Sequence, residues 1–95
     1  MKWKYTLESG SALREAIYND DIEQTVKCLL LCYQELNEKL TVEDREDYWY
    51  DIEDALVEFS SYEPYDDDEE NEYYINNALA DFYDLCDNVR AFIEL

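Results

Sequence analysis

Twenty-six of the 95 residues are Asp or Glu, and they are not scattered at random. Glu43, Asp47, Asp51, Asp54 and Glu58 recur at steps of three and four. On a helix that spacing places all five on one face, with neighbours about 5–6 Å apart. Asp81, Asp84 and Asp87 repeat the pattern, and Asp66-Asp67-Asp68-Glu69-Glu70-Asn71-Glu72 is an almost continuous acidic run. Carboxylates at this density could transfer protons in pairs, coordinate a divalent cation, or present negative charge to a basic partner.

The first two uses find little support in the rest of the chain. It has no His, a single Gly and no phosphate-binding loop, so an enzyme is not expected. The run at residues 66–72 lacks the Gly and the alternating ligand spacing of an EF-hand loop, which leaves only non-specific attraction of divalent cations. Cys28, Cys32 and Cys86 could offer three thiolates to zinc, but neither His nor a fourth Cys completes a structural site. They read as core cysteines, and neither a metal nor a cofactor is expected.

Charge presentation fits better. The net charge is −19. Residues 1–41 hold seven acids and five bases, whereas residues 42–95 hold nineteen acids against Arg45 and Arg90 alone. Such asymmetry indicates an electrostatic role or a disordered acidic tail. Disordered acidic chains are poor in aromatic and aliphatic residues. This acidic half carries Tyr48, Trp49, Tyr50, Ile52, Leu56, Phe59, Ile75, Leu79, Phe82 and Phe92, so it is expected to fold. A fold that holds so much like charge is under self-repulsion, which a basic partner would relieve. Nucleic acid itself, a polyanion, is not an expected ligand.

The elements that must position these acids follow from hydrophobic spacing. The whole chain reads as one all-α domain, a bundle of three to four helices at about residues 11–18, 22–39, 42–59 and 67–93. An extended arm over residues 1–8 precedes them, and a loop at 60–66 contains the only proline, Pro64. In the arm, Trp3, Tyr5 and Leu7 alternate with Lys2, Lys4 and Thr6; no second strand is predicted, so the arm should dock on the bundle, pairing between two copies being the alternative. Ser9 or Ser11, Asp21 with Gln24, and Thr41 with Asp44 mark the first three helix starts. Cys28-Leu29-Leu30-Leu31-Cys32-Tyr33 is apolar on every side of its helix and predicts a buried central element. On the third helix Tyr48, Trp49, Ile52, Leu56 and Phe59 should face inward, opposite the acids. The acids at 66–72 suit the positive end of the fourth helix.

An odd cysteine count without disulfide spacing favours a reducing compartment, no signal-peptide pattern follows Lys2 and Lys4, and no apolar stretch approaches the roughly 20 residues of a membrane span. A cytoplasmic location is expected. Tyr50, Tyr62, Tyr65 and Tyr73 lie off the apolar faces or in the break, and Tyr is a favoured interface anchor.

If Asp66 to Glu94 were wholly helical, its ten carboxylates would give about one charge per ~4 Å of axis at ~1.5 Å rise per residue. One DNA strand carries one per ~3.4 Å, and the acids of the third helix could stand for the other strand. The opposing reading is that the acids form only a solvated face.

In size, charge and the acidic run at residues 66–72, the chain resembles the small acidic proteins of phages and mobile elements that mimic DNA, including anti-CRISPR and anti-restriction proteins. The resemblance implies an inhibitor in a bacterial host cell that blocks the DNA-binding site of a basic defence protein, an RNA-guided CRISPR nuclease foremost. The expected partner-binding residues are Asp47, Asp51, Asp54 and Glu58, then Tyr65, Asp66, Asp67, Asp68, Glu69, Glu70 and Glu72, and Asp81, Asp84 and Asp87. Colicin immunity proteins are similar in size and charge, which makes neutralisation of a basic nuclease toxin the alternative. A helical adaptor without mimicry is the third reading.

Overall fold

The computed structural model describes residues 3–93, so Met1 and Lys2 of the predicted arm and Glu94 lie outside the described residues. The chain runs β1 (Tyr5–Leu7), α1 (Gly10–Tyr18), α2 (Ile22–Lys39), α3 (Val42–Asp47), α4 (Trp49–Ser60), α5 (Asp68–Val89) and β2 (Ala91–Ile93). It is mostly helical, as the spacing predicts, with a small two-stranded sheet that the spacing did not predict.

Helix α2 is the central element, and α1, α4, α5 and β1 all pack against it. Its Val26, Cys28, Leu29, Cys32, Tyr33 and Leu36 meet Leu7, Leu13, Ile52, Phe59, Phe82 and Leu85 in one core. Tyr33 lies at its aromatic centre, 4.9 Å from Phe82 and 5.6 Å from Phe59 between ring centroids. The helix is not buried on every side, however. Leu30 is half-buried and Leu31 is 51% exposed. Six consecutive helical positions turn through more than a full circle, and the packed neighbours leave part of that circle uncovered.

The helix starts at α2 and α3 form as the capping residues require. Asp21 accepts from the Gln24 N–H at 3.1 Å, and Thr41 Oγ1 from the Asp44 N–H at 3.2 Å. Ser9 occupies the start of α1 without capping it, because its hydroxyl donates instead to Glu35 of α2 at 2.6 Å. The same Glu35 carboxylate accepts the backbone N–H groups of Glu8 and Ser9, each at 2.9 Å. It also pairs with Lys39 Nζ at 2.7 Å. At the far end of α2, Arg45 donates to the carbonyls of Asn37 and Leu40, which have no partner within the helix.

Two helix boundaries depart from the expectation, and the arm gains a strand partner. The predicted helix over 42–59 is two helices, interrupted at Tyr48, which closes α3 and opens α4 with φ −114° and ψ 15°. Asp44 is bound to Lys4 Nζ at 2.7 Å and to the Tyr5 hydroxyl at 2.6 Å, which ties α3 to the N-terminal strand. Helix α4 instead packs on α2. Trp49, expected in the core, is the first residue of α4 and is 57% exposed. Helix α5 ends at Val89, not at 93, where Arg90 takes the left-handed conformation with φ 60°. Ala91–Ile93 then pairs in parallel with Tyr5–Leu7, placing Tyr5 opposite Ala91 and Leu7 opposite Ile93. The arm is therefore a strand, with Leu7 fully buried, Tyr5 half-buried and Trp3 exposed against Phe92 at 5.6 Å. Three residues are too few for a period-two signal, and Phe92 and Ile93 continue the apolar spacing of α5, so β2 reads as helix from sequence.

Candidate partner-binding groove

Helix α4 turns Ile52, Ala55 and Phe59 toward α2, which leaves Asp51, Asp54 and Glu58 along one flank. Helix α5 buries Ile75, Ala78, Phe82, Leu85 and Cys86 and carries Asn77, Asp81, Asp84 and Asn88 on its exposed side. The two helices share α2 as their support and make little backbone contact with each other. Between them runs an open groove of about 1170 Å³ with Tyr33 at its base.

The acidic stripes, expected as separate outward patches, face this common space. Asp51, Asp54 and Glu58 line it from α4; Asp67, Glu69, Glu70, Asp81 and Asp84 line it from α5 and its cap. Tyr65 lines it as well, together with Tyr73 and Tyr74. The remaining predicted residues, Asp47, Asp66, Asp68, Glu72 and Asp87, are exposed but lie outside the lining. No Lys or Arg lines the groove, and none of its carboxylates is in an ion pair among the described residues.

Local structure accounts for the acidic end. Asp67 caps α5 by accepting the Glu69 N–H at 2.8 Å, and Asp68, Glu69 and Glu70 occupy the first turn, where the helix dipole favours negative charge. Asn71, the neutral residue within the acidic run, is buried. Its Oδ1 accepts from the Tyr62 hydroxyl at 3.0 Å and from the Tyr65 N–H at 2.8 Å, while Nδ2 donates to the Tyr65 carbonyl at 2.9 Å. Asn71 thus holds the 61–67 loop against α5 and sets Tyr65 at the groove edge. Tyr62 is half-buried, stacked on Tyr74 at 5.0 Å, so it belongs to this support and not to the exposed anchors. Tyr50 and Tyr73 are each 73% exposed, but only Tyr73 lines the groove.

The charges converge on the groove base. Burial pushes the Tyr33 phenol well above its ordinary value, and the negative charges of Asp81, Asp51 and Glu58 push it further. Tyr74 is raised in the same way, by burial and by its hydrogen bond to Glu58. Cys32 and Cys86 are buried thiols raised to about 11 and about 12, chiefly by burial, so they stay protonated at neutral pH and are poor nucleophiles. Among the described residues no group of His, Cys, Asp or Glu has an arrangement that could hold a metal ion, and no helix is long and apolar enough to cross a membrane.

Tyr33, Asn71 and Asn77 are parts of the site that residue spacing does not single out. Only Asn71 carried a signal, as the single uncharged position between Asp66 and Glu72. Comparison with protein-family models, with curated proteins and with solved structures gave no match to this chain.

Proposed function

We propose that this protein is an inhibitor that presents its carboxylates as a substitute for nucleic-acid phosphates and so blocks the DNA-binding site of a basic protein. The observation that carries the reading is the set of eight carboxylates, none in an ion pair among the described residues, that face one groove from α4 and from α5 and its cap. Like charges so placed repel one another, and the core holds them there against that repulsion. A surface of Arg and Lys shaped for phosphates meets the same sign of charge there. Because the carboxylates ride on packed helices, little conformational entropy is lost when the partner binds. The narrower identity of the target, an RNA-guided CRISPR nuclease, belongs to the same proposal and rests on the resemblance in size and charge to anti-CRISPR proteins.

The test is affinity capture on the immobilised protein from a bacterial lysate, with half of the resin eluted by duplex DNA and half by buffer. A basic nucleic-acid enzyme released by DNA, and bound more weakly as salt rises, is the expected result. A captured partner indifferent to DNA would overturn mimicry.

A further inference from the structure

Resting on the reading above, we infer that the groove receives one amphipathic helix of the partner, with basic residues on both flanks and an apolar stripe between them. The groove, at about 1170 Å³, lies above the roughly 300–1,000 Å³ of small-molecule sites and has room for more than a small ligand. From Glu70 to Asn88 its α5 wall runs about 27 Å at ~1.5 Å per residue, which matches a helix of five turns. Both walls are helices whose backbone groups are already bonded, so an extended segment could not add as a strand. Two helices supported by a third leave a valley of the kind that a further helix fills in a bundle.

Charge complementarity selects the occupant's chemistry. The walls carry Asp51, Asp54, Asp81 and Asp84 with no basic residue, and this favours Lys and Arg on the flanks. The base is Tyr33, with Ala55, Phe59, Ala78 and Leu85 around it, and this favours an apolar stripe. A flat basic surface would engage the walls and leave the base unused. Long Lys and Arg side chains can reach the carboxylates while their stems cover apolar surface.

The experiment measures binding at physiological ionic strength of two synthetic peptides of about 18 residues, the length of five helical turns. One is a helix former with a Leu stripe flanked by Lys and Arg; the other has the same composition scrambled, so that charge is kept and amphipathicity is lost. The amphipathic peptide should bind at least about tenfold more tightly. Asn77→Trp, which adds bulk to an exposed groove position without changing charge, should abolish that advantage. Asn76→Trp, exposed and outside the lining, should preserve it. Equal affinity for the two peptides, or an advantage that survives Asn77→Trp, would overturn the inference. That failure would leave phosphate mimicry standing, since displacement by DNA reads charge alone. Selective binding of the amphipathic peptide by a protein whose captured partner ignores DNA would keep the groove and remove mimicry.

Discussion

Tyr74 of α5 donates its hydroxyl to Glu58 of α4 at 3.0 Å, the only side-chain hydrogen bond that joins the two groove walls among the described residues. It sits where α5 carries no acid of its own, between Glu72 and Asp81, so Glu58 supplies the charge of that stretch from the opposite wall. Tyr74→Phe should cost about 0.5–1.5 kcal/mol at neutral pH, the net worth of one such bond. The sign of its pH dependence follows from the raised Tyr74 pKa, caused by burial first and by Glu58 second. Stability from a group whose folded pKa lies above its ordinary 10.0 is complete below that pH and lost as pH rises toward the folded value. The penalty of Tyr74→Phe should therefore shrink above pH 10, a trend that melts across alkaline pH would show. A constant difference would mean that the Tyr74 hydroxyl is not held protonated in the folded protein beyond its ordinary range.

Because both acidic stripes face one groove, their substitution should not give separable effects. Asp51 and Asp54 changed to Asn, and Asp81 and Asp84 changed to Asn, should each raise the melting temperature by relieving repulsion. Each pair should also weaken the captured partner. Combined, the four substitutions should deviate from additivity in binding, as neighbours with a shared contact do, by about 0.5–3 kcal/mol. Asp66 and Asp68, exposed but outside the lining, should matter less to affinity. Affinity losses at Asp66 and Asp68 equal to those in the groove would show that the partner reads overall charge and not the groove.

Asn71 offers a way to disturb the site without changing its charge. Asn71→Ala leaves the Tyr62 hydroxyl and the Tyr65 N–H and carbonyl without their partner. The expected cost is about 1–3 kcal/mol, the penalty for an unsatisfied part-buried polar group. The 61–67 loop should then exchange its amide protons faster, beginning with the Tyr65 N–H. Unchanged protection of that amide would remove Asn71 from its positioning role.

How much of this could be read in advance depended on the range of each interaction. Caps are local, so Asp21 with Gln24 and Thr41 with Asp44 were legible within four residues. Helical spacing identified which acids share a face of α4, because Ile52 and Phe59 show where the core lies. It could not show that this face looks across at Asp81 and Asp84, since the placement of α4 and α5 is decided by their common packing on α2. The same limit explains Leu31, whose hydrophobicity says nothing about whether a neighbour arrives to cover it. The break at Tyr48 and the strand at Ala91–Ile93 both depend on contacts with the N-terminal segment, more than 35 residues away in sequence. Glu35, lost in the composition among twenty-six acids, is another long-range case.

Glu35 should also shape the acid limb of stability. Partial burial pushes its pKa up, but donors from Lys39, Ser9 and the Glu8 and Ser9 backbone outweigh burial and hold it at about 2, against an ordinary 4.5. A carboxylate with a lowered folded pKa contributes stability that is complete above the unfolded value and lost as pH falls through the folded one. For Glu35 that window lies between about 4.5 and about 2. Melting temperature should thus turn down below about 4.5, as the unfolded chain takes up the proton that folded Glu35 refuses. In Glu35→Gln the amide nitrogen cannot accept, so at least one of the Glu8 and Ser9 donors loses its partner, at a cost of about 1–3 kcal/mol at neutral pH. This variant titrates no proton at the position, and its deficit should narrow as pH drops through the window. Parallel curves for the two proteins down to pH 2 would mean that the clasp between the start of α1 and α2 does not depend on the charge of Glu35.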